Sequence, residues 1–505
     1  MTGRHRQVQN FFATDYPRTL FPLSTNEIVV RHAAKQLESH IYERVLVDAE
    51  KGHSFLAQQR VYASKPQFHL RRTVKLDPVA EYFIYDLAYR NRALFRQSKS
   101  RTRRSFGYRF VGGEPMPGSD AYSELTKALA FGKSRFAHTL SFDIAAYFNS
   151  LYHHDLVHWF RDLEASDQDV DALSQFLQQI NSGRSIDCLP HGLYPTKMLG
   201  NAFLWFVDSS ARLQSKLMVR FMDDFHLFDD SVDTLVGDFS LIQKLLGEKG
   251  LSVNPRKTRA PGSPDDSAAT KIDQMKTELL RMRRAAITAS GDDADDDEHE
   301  ESGGGDASPA SLTKKQRLYL ISLLKEDTLS EEDAELVLRL MQAYPDEVIA
   351  HLRSMIRNFP NLAKEVYRFC TKTSEKNREA IADIVLDYVA AVEQPPEFVL
   401  FWLGKLAEDC LLKTPKAGDL LFALYQCHSA TRISKAKILE IPENRFGMAE
   451  LRAEHLKTGQ SDWLSWSAAV GTRAQKAASR NYILKYFATG SEMNHLIGSC
   501  ILGLK

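Results

Sequence analysis

Two hydrophobic patterns divide the chain. Over residues 1–258, short alternating apolar runs end in turns, as at 137–143 and 217–228, and longer helical stretches such as 155–180 separate them. From Leu312 onward, apolar residues recur three and four positions apart, as in a helix. The patterns predict an α+β region at 1–258 and an all-α helical region at 311–505.

A change of composition separates these regions. Residues 259–310 are rich in Gly, Ser, Ala, Asp and Pro, with one helical stretch at 269–288 that is basic near its end. Residues 292–306 hold nine acidic side chains and no Lys or Arg. Such a segment has too little apolar surface to offset chain entropy. We therefore expect a helical connector followed by an acidic disordered linker.

The C-terminal region is predicted to contain short helices joined by tight turns. Prolines punctuate the pattern at Pro345, Pro360, Pro395 and Pro415. Short helices of this kind favour a helical-repeat array. Because the sequence has no sharp period, a compact irregular bundle is the alternative.

Bulk composition indicates a globular protein without a membrane partner. A chain of 505 residues exceeds what one hydrophobic core usually supports, so two or three domains are expected. The chain is 43% hydrophobic and 26% charged, and its apolar runs fall short of the roughly 18 residues that suggest a membrane span. The five cysteines are far apart and form no C-x-x-C pair, which fits a reducing cytoplasm.

The formal net charge of zero hides an uneven distribution. Outside the acidic segment, Lys and Arg outnumber Asp and Glu by nine. Residues 60–110 contain thirteen Lys or Arg against three acidic residues. So dense a basic segment predicts a phosphate-bearing partner, with a solvated basic face as the plain alternative.

Two predicted strands end in carboxylates. Residues 138–143 (HTLSFD) end at Asp143, and residues 217–224 (LMVRFMDD) end at Asp223 and Asp224. Strand ends placed side by side would gather carboxylate oxygens, the ligands that Mg²⁺ prefers. Two such ions can activate a 3′-hydroxyl and stabilise leaving pyrophosphate. The alternative is a simple turn after a strand.

The order and spacing of these motifs resemble reverse transcriptases. Residues 143–154 (DIAAYFNSLYHH), the turn 189–192 (LPHG), the FMDD segment and residues 250–258 (GLSVNPRKT) occur in the family's order. The resemblance implies α+β fingers and palm over 1–258, followed by an all-α, repeat-like domain. His191 and Lys197 depart from the family's pattern, which puts ordinary processive copying in doubt.

The resemblance also implies a metal site and a proton donor. It places Asp143, Ile144, Asp223 and Asp224 around two Mg²⁺ ions, with the three aspartates catalytic. Lys257 takes the position of a general acid for departing pyrophosphate, and a surface lysine after a turn is the alternative.

Substrate contacts follow from the same resemblance. Arg72 and Lys75 match cations that hold the incoming triphosphate, although Arg71 fits equally, and Gly192 lies in the substrate-binding turn. Phe148 takes the place of an aromatic ring beneath the sugar, which favours dNTPs over rNTPs. A core aromatic is the alternative for Phe148.

Within the family, the chain looks like bacterial abortive-infection and other defence-associated reverse transcriptases, relatives of the retron and group II intron enzymes. Residues 76–91 (LDPVAEYFIYDLAYRN) and 105–113 (SFGYRFVGG), with the long helical region, carry this likeness. It implies an RNA-directed DNA polymerase in antiphage defence, with an RNA template or associated non-coding RNA, a DNA product and a homo-oligomeric state.

Two other functions stay open. The same site could make DNA without a template or from a protein primer, or an idle palm could act as a nucleic-acid-binding scaffold. The C-terminal region adds a possible surface for phosphates and bases, with helix core as the alternative for its aromatic residues. Its cations and aromatics are Arg473, Lys476, Arg480, Lys485, Trp463, Trp466, Tyr482 and Tyr486.

Overall fold

The structure is a computed structural model of the chain. It describes residues 3–47, 53–96, 100–187, 189–261, 276, 278–280, 282–283, 312–325 and 329–504. The acidic segment 292–306, most of the predicted connector helix 269–288 and Cys188 lie outside the described residues.

The described chain is a mixture of helices and strands up to residue 261 and mostly helical after residue 311. The strands are β1 (Gln59–Ser64), β2 (Leu70–Lys75), β3 (Arg103–Phe106), β4 (Phe110–Val111), β5 (Glu114–Pro115), β6 (His138–Asp143), β7 (Leu217–Phe221) and β8 (Asp224–Asp229). The first ten α-helices are α1 (Arg4–Asp15), α2 (Ser24–His40), α3 (Pro78–Arg90), α4 (Gly118–Arg135), α5 (Tyr147–Ser150), α6 (His153–Asp162), α7 (Asp167–Ile180), α8 (Tyr194–Phe203), α9 (Trp205–Asp208) and α10 (Val232–Gly247).

The C-terminal region continues with short helices. They are α11 (Lys314–Leu324), α12 (Glu331–Leu340), α13 (Pro345–Val348), α14 (Leu352–Asn358), α15 (Ala363–Thr371), α16 (Arg378–Ala391), α17 (Glu397–Leu406), α18 (Ala417–Gln426), α19 (Arg432–Leu439), α20 (Met448–Lys457), α21 (Trp463–Gly471), α22 (Ala477–Phe487) and α23 (Glu492–Gly503). The helical pattern predicted from Leu312 onward is confirmed.

The chain forms two compact units that are not contiguous in sequence. The first contains the described residues of Met1–Arg18, Ile41–Gln58 and Val79–Ala310. The second contains those of Thr19–His40, Gln59–Pro78 and Ser311–Lys505. The segment predicted as one domain, 1–258, therefore contributes to both units.

A four-stranded sheet forms the centre of the first unit. Its order is β3-β7-β8-β6, with β3 parallel to β7 and the other neighbours antiparallel. Helix α4 lies on one face, where Gly132 is so close to Phe228 that a Cβ would come within 2.7 Å of the ring. Helix α10 lies on the other, where Phe239 packs 5.0 Å from Phe142. The sheet thus holds both predicted strand ends between two helical layers.

A hairpin and an array of stacked helices make up the second unit. Strands β1 and β2 pair antiparallel, and β1 contacts α17. The helices of the array contact one another in rows, and α12, α15, α17, α19, α21 and α23 form one row. Helices α14, α16 and α18, and then α20 and α22, contact in the same way.

Side-chain hydrogen bonds recur at a regular sequence separation in this array. Lys376 and Asp346 are 30 residues apart, Ser429 and the Pro395 carbonyl 34, and Asn444 and the Ala474 carbonyl 30. Stacked helix pairs with such a repeat form a helical array rather than an irregular bundle. The first helices of successive pairs begin at uneven intervals, so the sequence lacks a sharp period.

Helix α2 is tied to the array by a buried carboxylate. Glu440 accepts hydrogen bonds from the backbone N–H groups of Ser24 (2.8 Å) and Thr25 (2.7 Å), which lie in the first turn of α2. Lys437, fully buried, contacts Glu440 at 2.6 Å and Glu408 at 2.5 Å. Burial alone would lower the pKa of Lys437, but the two carboxylates raise it, so the lysine stays charged.

Among the described residues, no helix is long and apolar enough to cross a membrane.

Candidate active site

Asp143 and Asp224 face each other across neighbouring strands. Strand β6 ends at Asp143, β8 begins at Asp224, and the two residues are directly paired in the sheet. The Asp143 carbonyl accepts from the Asn254 N–H at 2.7 Å, on the side of β6 away from β8. The aspartates are therefore a non-hydrogen-bonded pair, whose Cα atoms are typically about 4.5 Å apart and whose side chains lie close together.

The third carboxylate lies on the hairpin turn. Strand β7 ends at Phe221, so Met222 and Asp223 form a two-residue turn before Asp224. The sequence predicted one strand ending in two carboxylates. Instead, Asp223 lies on the turn and Asp224 begins the returning strand, because Met222 has a positive φ of 52° and reverses the chain.

Arg220, which is fully buried, supports the turn between β7 and β8. Its guanidinium donates to the Met222 carbonyl at 2.7 Å and to Asn201 Oδ1 at 2.9 Å. It also forms a bidentate pair with Asp208, with distances of 3.0 and 2.5 Å. Since a side chain at positive φ is strained, these bonds fix a conformation that Met222 would not prefer on its own.

Polar neighbours oppose the repulsion between the paired aspartates. Lys257 Nζ lies 3.6 Å from Asp143 Oδ2, and the Asn254 amide donates to the same oxygen at 3.4 Å. His226, two residues along β8, places Nε2 3.0 Å from Asp224 Oδ2. Like charges directly opposite on a sheet are unfavourable, so these contacts offset part of the cost.

Lys257 reaches the site because residues 252–259 run alongside β6. Arg259 N–H donates to the Ser141 carbonyl at 2.8 Å, and Ala145 N–H donates to the Ser252 carbonyl at 2.8 Å. Between these bonds, the short helical turn Pro255–Lys257 bulges from the strand. The structure thus places Lys257 beside Asp143.

The carbonyl of Ile144 points to the side of β6 that faces β8. The N–H of Ala145 is directed to Ser252, and in a trans peptide the preceding carbonyl points the opposite way. Ile144 therefore turns its oxygen towards the side on which Asp224 lies. This direction suits the role predicted for Ile144 in the metal site.

The candidate site offers only oxygen donors. Three carboxylates and a backbone carbonyl supply only oxygen, which hard cations prefer. Within the described residues, however, no three His, Cys, Asp or Glu side chains converge closely enough to form a finished metal site. The strands place Asp143 opposite Asp224, and Asp223 lies on the adjoining turn.

Phe148 lies beside the predicted substrate turn. The ring is 6% exposed and its centroid is 4.7 Å from that of His191. A Cβ at Gly200 would come within 3.2 Å of the ring, so α8 passes directly against it. Gly192 has a φ of 86°, which lets the turn reverse before α8 begins. The structure thus brings these predicted residues together.

Tyr147 links the same elements. Its hydroxyl donates to the Gly200 carbonyl at 2.7 Å. Burial raises the pKa of Tyr147 well above its usual value, and Asp223 and Asp208 raise it further while Arg220 opposes them. The phenol is neutral at ordinary pH, as suits a packing residue.

Arg72 and Lys75 lie on opposite faces of the β1–β2 hairpin. Their separation of three residues puts them on different sides of the strand. Arg72 is exposed and pairs across the hairpin with Tyr62, whereas Lys75 is 5% exposed. One face of β2 therefore does not present both cations to one triphosphate, and Arg71 shares the face of Lys75.

Several basic side chains of the segment 60–110 form ion pairs or hydrogen bonds within the protein. Arg90 pairs with Asp86 at 3.1 Å and Arg109 with Glu124 at 2.7 Å. Arg103 donates to two backbone carbonyls of the loop before β7. Charge density alone therefore overstated the surface available for phosphate.

The sequence interpretation missed Arg220, Asp208 and His226. Arg220 is the one cation in an otherwise apolar strand, a signal that could have marked it as a buried, paired residue. His226 is separated from Asp224 by one residue, so the two share a face of β8. Asp208 carries no local signal, because its partner lies on another element.

No protein-family model and no curated protein matches this chain. Solved structures with partial similarity include telomerase from Candida tropicalis and from Candida albicans, each in complex with a TWJ fragment of telomeric RNA. The identities are 11% and 12%, and the TM-scores are 0.31 and 0.30. The alignments cover 74% and 79% of this chain, and 64% and 68% of the telomerase chains. The chain thus spans less than two thirds of the Candida tropicalis protein. TM-scores this low do not establish that the chain shares the telomerase fold.

Proposed function

We propose that this chain is a Mg²⁺-dependent nucleotidyltransferase of the reverse-transcriptase type. The observation that carries the proposal is the direct pairing of Asp143 and Asp224 with Asp223 on the adjoining turn. A structural role alone gives no reason to place like charges opposite each other, whereas a cation site does.

The aspartates and the Ile144 carbonyl would hold the metal ions. Two Mg²⁺ ions bound there would activate a 3′-hydroxyl and neutralise charge on the departing pyrophosphate. Lys257, 3.6 Å from Asp143, is close enough to act at the same reacting group as cation and proton donor. His226 and Asn254 orient the carboxylates through hydrogen bonds.

Phe148 supports a preference for dNTPs. Gly200 and His191 pack against its ring and restrict its movement. A rigid ring beneath the sugar excludes a 2′-hydroxyl by steric contact. Polymerisation of dNTPs on an RNA template is therefore the form of the activity that we propose.

The sequence motifs support the finer proposal of antiphage reverse transcription. An RNA template or associated RNA, a DNA product, a homo-oligomer and a cytoplasmic location belong to that proposal. Synthesis without a template, or from a protein primer, would use the same residues. The experiment below distinguishes these activities from RNA-templated synthesis.

The test measures incorporation of labelled dNTPs by the purified full chain with Mg²⁺, with and without co-purifying RNA. We expect incorporation that EDTA abolishes and that Asp223→Ala with Asp224→Ala reduces below detection. The double variant should retain nearly the parent's thermal transition, since it removes mutual repulsion along with the hydrogen bond to His226.

A matched control comes from the other end of the same hairpin. Asp230→Ala removes an exposed carboxylate paired with Lys216, and incorporation should persist. Loss of label after RNase pretreatment supports templating, whereas label that remains on protein after RNase supports protein priming. Incorporation by the double variant, or none by the parent under any condition, contradicts the proposal and favours a scaffold.

A further inference from the structure

Helix α22 presents two large aromatic side chains to solvent. Tyr482 is 85% exposed and Tyr486 is 57% exposed, whereas only Leu484 and Phe487 of this helix are buried. Residues four apart lie on the same side of a helix, so the two rings are neighbours. The helix is anchored by a narrow apolar stripe and leaves an aromatic face uncovered.

The tryptophans of the same region behave differently. Trp463 and Trp466 are each 4% exposed, and Trp466 Nε1 donates at 3.1 Å to Ser461 and to Asn494. These rings belong to the core of the array. The stacking surface predicted from the sequence is therefore reduced to the two tyrosines.

Helix α22 and the sequence that flanks it carry no negative charge. Residues 463–491 contain four Lys or Arg and no Asp or Glu. The neighbouring helix α20, by contrast, carries exposed Glu450 and Glu454, and α18 carries Asp419. Helix α22 is thus an acid-free element beside helices that bear carboxylates.

The four Lys and Arg residues of this segment differ in how accessible their charges are. Lys485 is exposed and lies one residue before Tyr486 and three after Tyr482, on the tyrosine side of the helix. Arg480 lies four residues before the buried Leu484, and its Nε is buried without a hydrogen-bond partner. Arg473 donates hydrogen bonds to the backbone carbonyls of Glu440 and Val470. Lys485, with exposed Lys476 at the start of the helix, supplies the accessible charge.

We propose that the face formed by Tyr482, Lys485 and Tyr486, with Lys476 exposed at the start of the helix, binds single-stranded nucleic acid. Uncovered aromatic rings stack on bases of any sequence, and lysines contact the backbone phosphates. The absence of carboxylates from the helix makes this face complementary in charge to a polyanion. A duplex keeps its bases stacked on one another, so the rings favour a single strand over it.

Binding of a labelled oligothymidylate to the full chain, without dNTPs, tests the proposal at several salt concentrations. We expect Tyr482→Ala and Tyr486→Ala each to raise Kd about 5- to 100-fold, while Tyr482→Phe and Tyr486→Phe bind nearly as the parent does. Lys485→Ala should reduce the slope of log Kd against log salt by about one. A duplex of the same length should bind more weakly.

Phe422→Ala is the matched control. Phe422 is 64% exposed on α18, close to Asp419, so its removal should leave Kd unchanged. The decisive variant combines Tyr482→Ala with Tyr486→Ala and should keep the parent's thermal transition. If this folded variant also keeps the parent's Kd and salt slope, the inference is wrong. Because no dNTP is added, the assay measures binding without polymerisation, and its failure can be distinguished from failure of the proposed polymerase activity.

Discussion

Arg220 is the residue on which the shape of the candidate site depends most directly. It joins α8 and α9 to the turn between β7 and β8 through Asn201, Asp208 and the Met222 carbonyl. A buried guanidinium has a planar fork that satisfies several acceptors at once, which an ammonium cannot do. The position of Asp223 therefore follows from an ion pair beneath the turn.

Arg220→Lys should lower the free energy of unfolding by about 3 kcal/mol, because Asp208 stays buried with an incomplete partner. The same change should reduce dNTP incorporation through kcat more than KM, since the turn loses its support. Chemical denaturation and steady-state kinetics check both effects. Arg212→Lys, at an exposed position nearby, should change neither, and an Arg220→Lys variant with the parent's stability would refute this role.

The candidate site residues that the sequence could mark are those next to the ends of predicted strands and turns. Asp143 and Asp224 end and begin alternating apolar runs, and Lys257 follows a turn that returns to β6. The alternation along β2 would also have shown that Arg72 and Lys75 face opposite ways. Asp208 could not be found, because its pairing depends on where α9 lies in the folded unit.

At the scale of elements, the array is joined by close backbone contacts. Gly471, at the end of α21, lies against the Leu439 carbonyl and the Arg452 side chain. Arg452 is fully buried and donates to the Leu439 carbonyl at 2.7 Å and the Glu443 carbonyl at 2.9 Å. Burial, followed by the nearby charge of Arg473, lowers the pKa of Arg452 to about 10, although Glu443 opposes the shift. The arginine still carries its charge at neutral pH.

Gly471→Ala should destabilise the protein by about 2 to 4 kcal/mol, because its Cβ would lie 2.1 Å from the Leu439 carbonyl oxygen. Thermal or chemical denaturation measures the effect. Gly237→Ala supplies the comparison: it lies exposed within α10 with open space around it, and should stabilise by about 0.5 to 1 kcal/mol. Equal effects of the two changes would contradict the packing argument.

At the scale of the whole molecule, the prediction of α+β followed by helices holds, while the path of the chain was not foreseen. Helical and strand periods report local structure, and they identified β6, β7 and the C-terminal helices. Residues 19–40 and 59–78 join the second unit through partners hundreds of positions away. Periodicity carries no signal for such contacts.

The buried ion cluster should make the second unit sensitive to acid. Burial opposes ionisation of Glu408, but Lys437 and Lys405 outweigh it and lower the pKa from 4.5 to about 2. A lowered pKa stabilises the fold above pH 4.5, and this contribution, about 3 kcal/mol, is lost as the pH falls towards 2.

Glu408→Gln should therefore lower stability near neutral pH and flatten its fall between pH 5 and pH 2, roughly the window between the two pKa values. Denaturation at a series of pH values measures this. Glu375→Gln, which alters an exposed pair with Arg378, should leave the pH profile as it is. A Glu408→Gln profile parallel to that of the parent would refute the assignment.

The capping of α2 by Glu440 also bears on synthesis of the protein. Glu440 bonds to Thr25, and 415 positions separate them. At about 5 to 20 residues per second, the ribosome releases the first turn of α2 roughly 20 to 80 s before its partner exists. During that interval the nascent helix has neither its cap nor the array that buries its apolar side. Codon changes that slow translation of the C-terminal half lengthen this interval, in which α2 can associate wrongly, and should therefore lower the soluble yield.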